Sequence, residues 1–206
     1  MKRTLLLLLV TLPAIGGEFV NLTFDEPDLT GPLTPIYPGG PLAGNAAQII
    51  PGWNITVGGE PLTSTTWSPF NLGGGAPSVS LVQHSPGDEL TRLGLAYLEL
   101  HSPTPPAPEI RLNQTGTIPA DAAGLWIFGT GHAQMFINGE RVGDTIATPI
   151  ADVSRYAGQE VNLEFLVASG GSIRFDILGF VPVPEPQTWA LLGTGLAAVY
   201  WLTRRK

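Results

Sequence analysis

The chain has no cysteine, which excludes disulfides, thiolate metal sites and a cysteine nucleophile. A domain without such staples must be held by its apolar core alone. Basic charge is almost as scarce. Five of the ten basic residues (Lys2, Arg3, Arg204, Arg205 and Lys206) sit at the two ends. The stretch between them keeps only Arg92, Arg111, Arg141, Arg155 and Arg174 against sixteen acids from Glu18 to Asp176, a net charge of −11. Binding to nucleic acid requires a basic stripe that neutralises phosphate, so no nucleic-acid partner is expected. Anionic membrane surfaces are excluded as partners of the domain on the same ground.

Histidine occurs only at His84, His101 and His132, with no His-x-His or His-x-x-x-His spacing, so no compact zinc site is expected. There is no Gly-x-Ser-x-Gly elbow and no phosphate-binding loop. Gly193-Thr194-Gly195-Leu196-Ala197-Ala198 matches a dinucleotide fingerprint, but it lies inside an apolar run with no strand before it. It reads as a smooth helix face instead. His84 falls in Gln83-His84-Ser85-Pro86-Gly87-Asp88-Glu89, expected to be a polar hairpin loop. Asp88 and Glu89 would face opposite sides of a strand and cannot flank one glycosidic bond.

The information is concentrated at the ends. Lys2 and Arg3 precede an apolar stretch from Leu5 to Leu12, closed by Pro13 and the small-residue site Ala14-Ile15-Gly16. This is a signal peptide, with signal-peptidase cleavage expected after Gly16. At the other end Pro184-Glu185-Pro186 is followed by an uncharged apolar run from Thr188 to Leu202 and then by Arg204-Arg205-Lys206. Trp189 and Tyr200-Trp201 stand at the ends of that run, where interfacial aromatics belong, and the basic stub favours the cytoplasmic side. The pattern predicts a short transmembrane helix with its terminus inside.

In its three-part order this tail resembles the PEP-CTERM sorting signal of Gram-negative bacteria. The resemblance implies an exosortase substrate: exported, paused in the inner membrane with the C-terminus cytoplasmic, cut near Pro184-Glu185-Pro186, and released to the cell surface or extracellular polysaccharide matrix. The expected organisation is therefore a signal peptide (1–16), an ectodomain (17–181) and a sorting tail (182–206).

The ectodomain is dense in glycine and proline and lacks any long 3.6-residue periodicity, which predicts an all-β antiparallel sandwich. Expected strands include Val20-Leu22-Phe24, Val79-Leu81, Leu93-Leu98, Gly124-Phe128, Ala133-Ile137, Val161-Val167 and Ile173-Ile177. Asn138-Gly139 signals a type I′ hairpin turn leading into a return strand from Arg141. Residues 28–44, 73–75 and 103–108 read as loops, and Asp152 to Gln159 as a single helical turn. Trp53 and Trp126 are expected in the core.

Phe24-Asp25-Glu26-Pro27, Ile50-Pro51-Gly52-Trp53, Thr117-Ile118-Pro119-Ala120, Asp152 through Ala157-Gly158-Gln159, and Phe175-Asp176-Ile177 resemble galactose-binding-like jelly-roll ectodomains. That resemblance implies neighbouring first and last strands, joined by a possible structural calcium on Asp25, Glu26 and Asp176. No other cofactor is expected. Tyr37, Trp67, Phe70 and Asn71 are the candidate ligand-binding residues, with Trp67 as an exposed platform for a sugar ring. The expected function is a non-enzymatic surface or matrix protein that binds glycan. The alternatives are a secreted polysaccharide hydrolase and a purely structural or adhesive surface protein.

Overall fold

A computed structural model describes residues 18–68, 77–84, 96–103, 106–145 and 150–182. In chain order the elements are β1 (Thr34–Pro35), β2 (Leu42–Asn45), the short helix α1 (Ala46–Ile49), β3 (Asn54–Val57), β4 (Glu60–Pro61), β5 (Ser64–Ser68), β6 (Ser78–Gln83) and β7 (Ala96–His101). They continue with β8 (Ile110–Thr117), β9 (Ala122–Gly131), β10 (Gln134–Ile137), β11 (Glu140–Asp144), β12 (Ile150–Asp152), a 3-10 turn (Ser154–Tyr156), β13 (Glu160–Val167) and β14 (Ser172–Pro182).

Two sheets result. One has eight strands in the order β1-β2-β5-β6-β7-β14-β9-β12, the other six in the order β11-β10-β13-β8-β3-β4. Pairing is antiparallel except between β5 and β6, which run parallel. This is the two-sheet sandwich expected from the short alternating strands.

Alternation decides the layers. In β8 and β13 every second residue is buried, so Ile110, Leu112, Val161, Leu163, Phe165 and Val167 enter the core between the sheets. Across that layer Leu98, Leu100, Leu125, Ile173 and Phe175 face them from the eight-stranded sheet. An aromatic group sits at the centre: Phe24 stacks on Trp53 at 5.6 Å, and Phe165 meets Phe175 at 4.8 Å. Such pairs add about 0.5–1.5 kcal/mol each beyond their buried area.

Local chemistry explains the turns. Asn138 and Gly139 take φ of 51° and 79°, the type I′ geometry expected between β10 and β11. Asn45 caps α1 by accepting the Ala47 amide at 2.9 Å. Just before the 3-10 turn, Asp152 Oδ1 accepts from both the amide and the hydroxyl of Ser154.

Three expectations are corrected. Residues 20–24 form no strand, because Asn21 and Phe24 adopt positive φ and break the alternation. The segment nevertheless lies against the last strand, as the jelly-roll resemblance implies, through the Leu178 amide donating to the Leu22 carbonyl. The stretch 28–44 is more than a loop, since it holds β1 and part of β2, paired through Thr34 and Ala43. Trp126 is only half-buried and faces outward, for β9 sends its neighbours Leu125 and Ile127 inward.

Candidate functional site

The outer face of the six-stranded sheet collects the polar half of each alternating strand. β8 presents Arg111, Asn113 and Thr115 there, β13 presents Asn162, Glu164 and Leu166, and β3 presents Asn54 and Thr56. Strand register assembles these into rungs. Asn54 stands opposite Asn113, Asn113 opposite Glu164, Glu164 opposite Phe136, and Phe136 opposite Arg141. Thr56, Arg111, Leu166 and Gln134 form the next rung, and Thr115 with Asn162 a third. With strands ~4.8 Å apart, the five-residue rung spans roughly 19 Å.

Arg111 organises the middle of this face. Its Nε donates to Glu109 Oε1 at 2.8 Å and its Nη1 to Glu164 Oε1 at 2.7 Å. The Glu109 hydrogen bond leads in raising the guanidinium above its ordinary pKa, with the charge of Glu164 adding to it and partial burial opposing it. Asn162 is held from both sides: its backbone amide donates to Asn138 Oδ1 at 2.8 Å, and its side-chain amide to Thr115 Oγ1 at 3.4 Å. The face thus offers planar amides able both to donate and to accept, hydroxyls, one fixed guanidinium and the ring of Phe136.

The sequence-derived site residues are distributed elsewhere. Trp67 lies in β5 opposite Leu42 and Leu81, and turns with Leu81 toward the core, so it is half-buried and not an exposed platform. Tyr37 is 46% exposed, in the turn after β1 at the far edge of the eight-stranded sheet. Phe70 and Asn71 lie outside the described residues, as do the expected signal peptide (1–16) and Pro184, Glu185, Pro186, Arg204, Arg205 and Lys206. Among the described residues no helix is long and apolar enough to cross a membrane.

Of the three calcium candidates, Asp25 and Asp176 come to one corner of the sandwich and Glu26 is exposed. Asp25 Oδ1 accepts the Ala96 amide at 3.1 Å, and the adjacent Tyr97 ring meets His84 at 5.1 Å. Asp176 Oδ1 lies 3.0 Å from His84 Nε2, with both side chains buried. His84 is therefore an interior residue and not part of an exposed polar loop. No cluster of three or more His, Asp or Glu with metal-holding geometry occurs among the described residues.

The amide rung was missed because its members are scattered in sequence. Asn54 and Asn113 lie far apart along the chain, and pairing of β3 with β8 is what sets them side by side. The polar members of β8 and β13 were readable as an outward set, but their rungs required the strand order. A groove of about 250 Å³ at the start of the parallel pair, lined by Leu62, Ser64, Thr65, Thr66, Pro77, Ser78, Val79 and Ser80, is smaller than the ~300–1,000 Å³ of small-molecule sites.

Fold and surface define the class: a two-sheet β-sandwich whose six-stranded sheet carries amide side chains on its outer face. The tail specifies its handling. A family profile described as the PEP-CTERM protein-sorting motif matches residues 182–206, so the chain carries an exosortase sorting tail. That motif marks an exported protein, transiently anchored by its C-terminal segment and processed by exosortase. No curated protein matches the chain. Among solved structures, a GH31 alpha-xylosidase from Xanthomonas citri is similar at 12% identity and a TM-score of 0.25, over 75% of this chain and 18% of that one. The chain thus spans less than a fifth of that enzyme.

Proposed function

We propose that the mature domain is a non-enzymatic surface or matrix protein that binds extracellular polysaccharide through the outer face of its six-stranded sheet. The observation that carries this reading is the rung Asn54, Asn113, Glu164 and Phe136, which places two amides, a carboxylate and an aromatic ring in one line on an open, flat surface. Sugar hydroxyls both donate and accept, and side-chain amides match them on both counts. The apolar C–H side of a sugar ring fits against Phe136. A flat face suits a long chain of sugars better than a single small molecule, which needs a concave pocket.

The non-enzymatic half of the reading has its own support. Glycoside hydrolysis requires two carboxyl groups flanking one bond, one of them a proton donor. On this face Glu109 and Glu164 both accept from Arg111, which engages each as an acceptor.

The test is a glycan array probed with the detergent-solubilised full chain and with Asn113→Ala and Phe136→Ala variants. Both side chains point out of the sheet, so the fold should persist, as checked by circular dichroism. Binding to extended polysaccharides that falls at least severalfold in both variants is the expected result. Retained binding in both variants would move the site elsewhere, and turnover of a bound glycan would replace the binding protein with a hydrolase.

A further inference from the structure

The opposite side of the sandwich carries a surface of different chemistry. On the outer face of the eight-stranded sheet, Trp126 stands across from Ile150 of the edge strand β12 and from Gly179 of β14. Phe128 stands across from Ile177, and Gly124 from Val181. The Trp126 and Phe128 rings are 5.5 Å apart. The indole lies over Gly179, its Cε3 3.9 Å from where a Cβ would stand. Ile150 is 52% exposed and Val181 37%, with Trp126, Phe128 and Ile177 half-buried beside them. The result is an apolar patch bordered by the exposed Asp152, which stands across from Gly124 in the rung of Val181.

Its position says what covers it. β14 runs through the patch and ends at Pro182, where the sorting motif begins. Val181 therefore belongs to the patch and immediately precedes the anchor. From Pro182 to the start of the apolar run at Thr188 the chain can reach no more than about 20 Å, at ~3.3–3.6 Å per residue. While the tail is in the bilayer, the patch cannot leave the neighbourhood of the lipid surface. A tether this short holds its cargo at an effective concentration of order millimolar.

We propose that, before processing, this patch docks on the bilayer, with Trp126, Phe128, Ile150 and Val181 resting in the headgroup boundary. Indole rings prefer that zone, and an apolar surface settles about 5–10 Å into it. The acidic domain is repelled by anionic headgroups, so the partner is a neutral, zwitterionic lipid surface. Docking by this sheet turns the amide-rich sheet away from the membrane, because the two outer faces lie on opposite sides of one core. It also holds residues 182–186 close to the membrane plane, where a membrane-embedded processing enzyme acts. The proposal rests on the anchoring role of the tail and is independent of glycan binding.

Absence of cysteine makes the test direct. The full chain is reconstituted into neutral phosphatidylcholine vesicles containing spin-labelled lipid, with one fluorophore on Ile150→Cys or, on the opposite face, on Thr115→Cys. Flotation with the vesicles reports anchoring; quenching reports docking. The expected result is quenching severalfold stronger at position 150 than at 115, abolished when Val181→Asp is added to the Ile150→Cys protein. Flotation with equal quenching at both positions overturns the docking, and failure to float overturns it together with its anchoring premise. Release of the position 150 fluorophore by soluble polysaccharide would make the patch a sugar platform and overturn it as well.

Discussion

The Leu178 amide donates to the Leu22 carbonyl at 2.9 Å, so the first described segment of the domain is fastened to its last strand. Trp53 reinforces the junction, its indole N–H donating to the Asn21 carbonyl at 3.1 Å. Phe24 is the apolar end of this clasp, fully buried between Trp53 and Phe175. Phe24→Ala is expected to cost about 3–5 kcal/mol, the range for emptying a buried aromatic site. A urea unfolding midpoint that hardly moved would show that the N-terminal segment packs after the core is complete and adds little to it.

The long pair β9 and β14 depends on glycine where it bends. Gly131 has φ of 108°, and a Cβ there would run into the Ser172 carbonyl oxygen. Gly131→Ala should therefore lose at least about 1–3 kcal/mol, from the unfavourable φ together with the clash against the Ser172 carbonyl. Thermal unfolding of the variant checks this, and an unchanged Tm would refute it.

His84 and Asp176 form a buried pair, with side chains 1% and 7% exposed. Asp176→Ala removes this buried polar contact and leaves a void, so it should destabilise by about 0.5–3 kcal/mol, as thermal unfolding would read. The calcium that the resemblance implies on Asp25, Glu26 and Asp176 is tested by adding a strong chelator to the parent protein. A fall in Tm of several degrees would establish calcium at this corner, and an unchanged Tm would remove it.

Glu140 ties the 3-10 turn to the β10–β11 hairpin. It accepts from Arg155 Nη2 at 2.7 Å and from the Tyr156 hydroxyl at 3.1 Å, and the Arg155 guanidinium lies 4.7 Å from the Tyr156 ring centre. The Arg155 hydrogen bond first, then that of Tyr156, hold its carboxyl below the usual carboxylate range. A depressed value in the folded state means that the stabilisation is complete above the ordinary carboxylate pKa and disappears as pH falls through the folded one. Glu140→Gln should thus be less stable than the parent at neutral pH and converge on it as pH falls below the ordinary carboxylate range. A stability gap that stayed constant across that range would show that packing, and not charge, makes the link.

Much of this protein could be read from local pattern. The sorting tail depends only on composition and order along a single segment: a proline-acid-proline triplet, apolar residues, then cations. The Asn138-Gly139 turn and the alternation of Val161 to Val167 were equally legible, because a hairpin and a half-buried strand are set by neighbours in sequence. Positive φ at Asn21 and Phe24 was not, since neither residue type demands it and the Leu22 to Leu178 bond that accompanies it spans the whole domain.

The orientation of the aromatics was decided by pairing across the sheets. Trp67 and Trp126 sit in similar strand contexts, yet one turns inward beside Leu81 and the other outward over Gly179. A strand's period of two says which residues share a face but not which face meets the core. Only the assembled sheets, with their register and strand order, resolve that choice, and with it the separation of an amide-rich surface from an apolar one next to the membrane anchor.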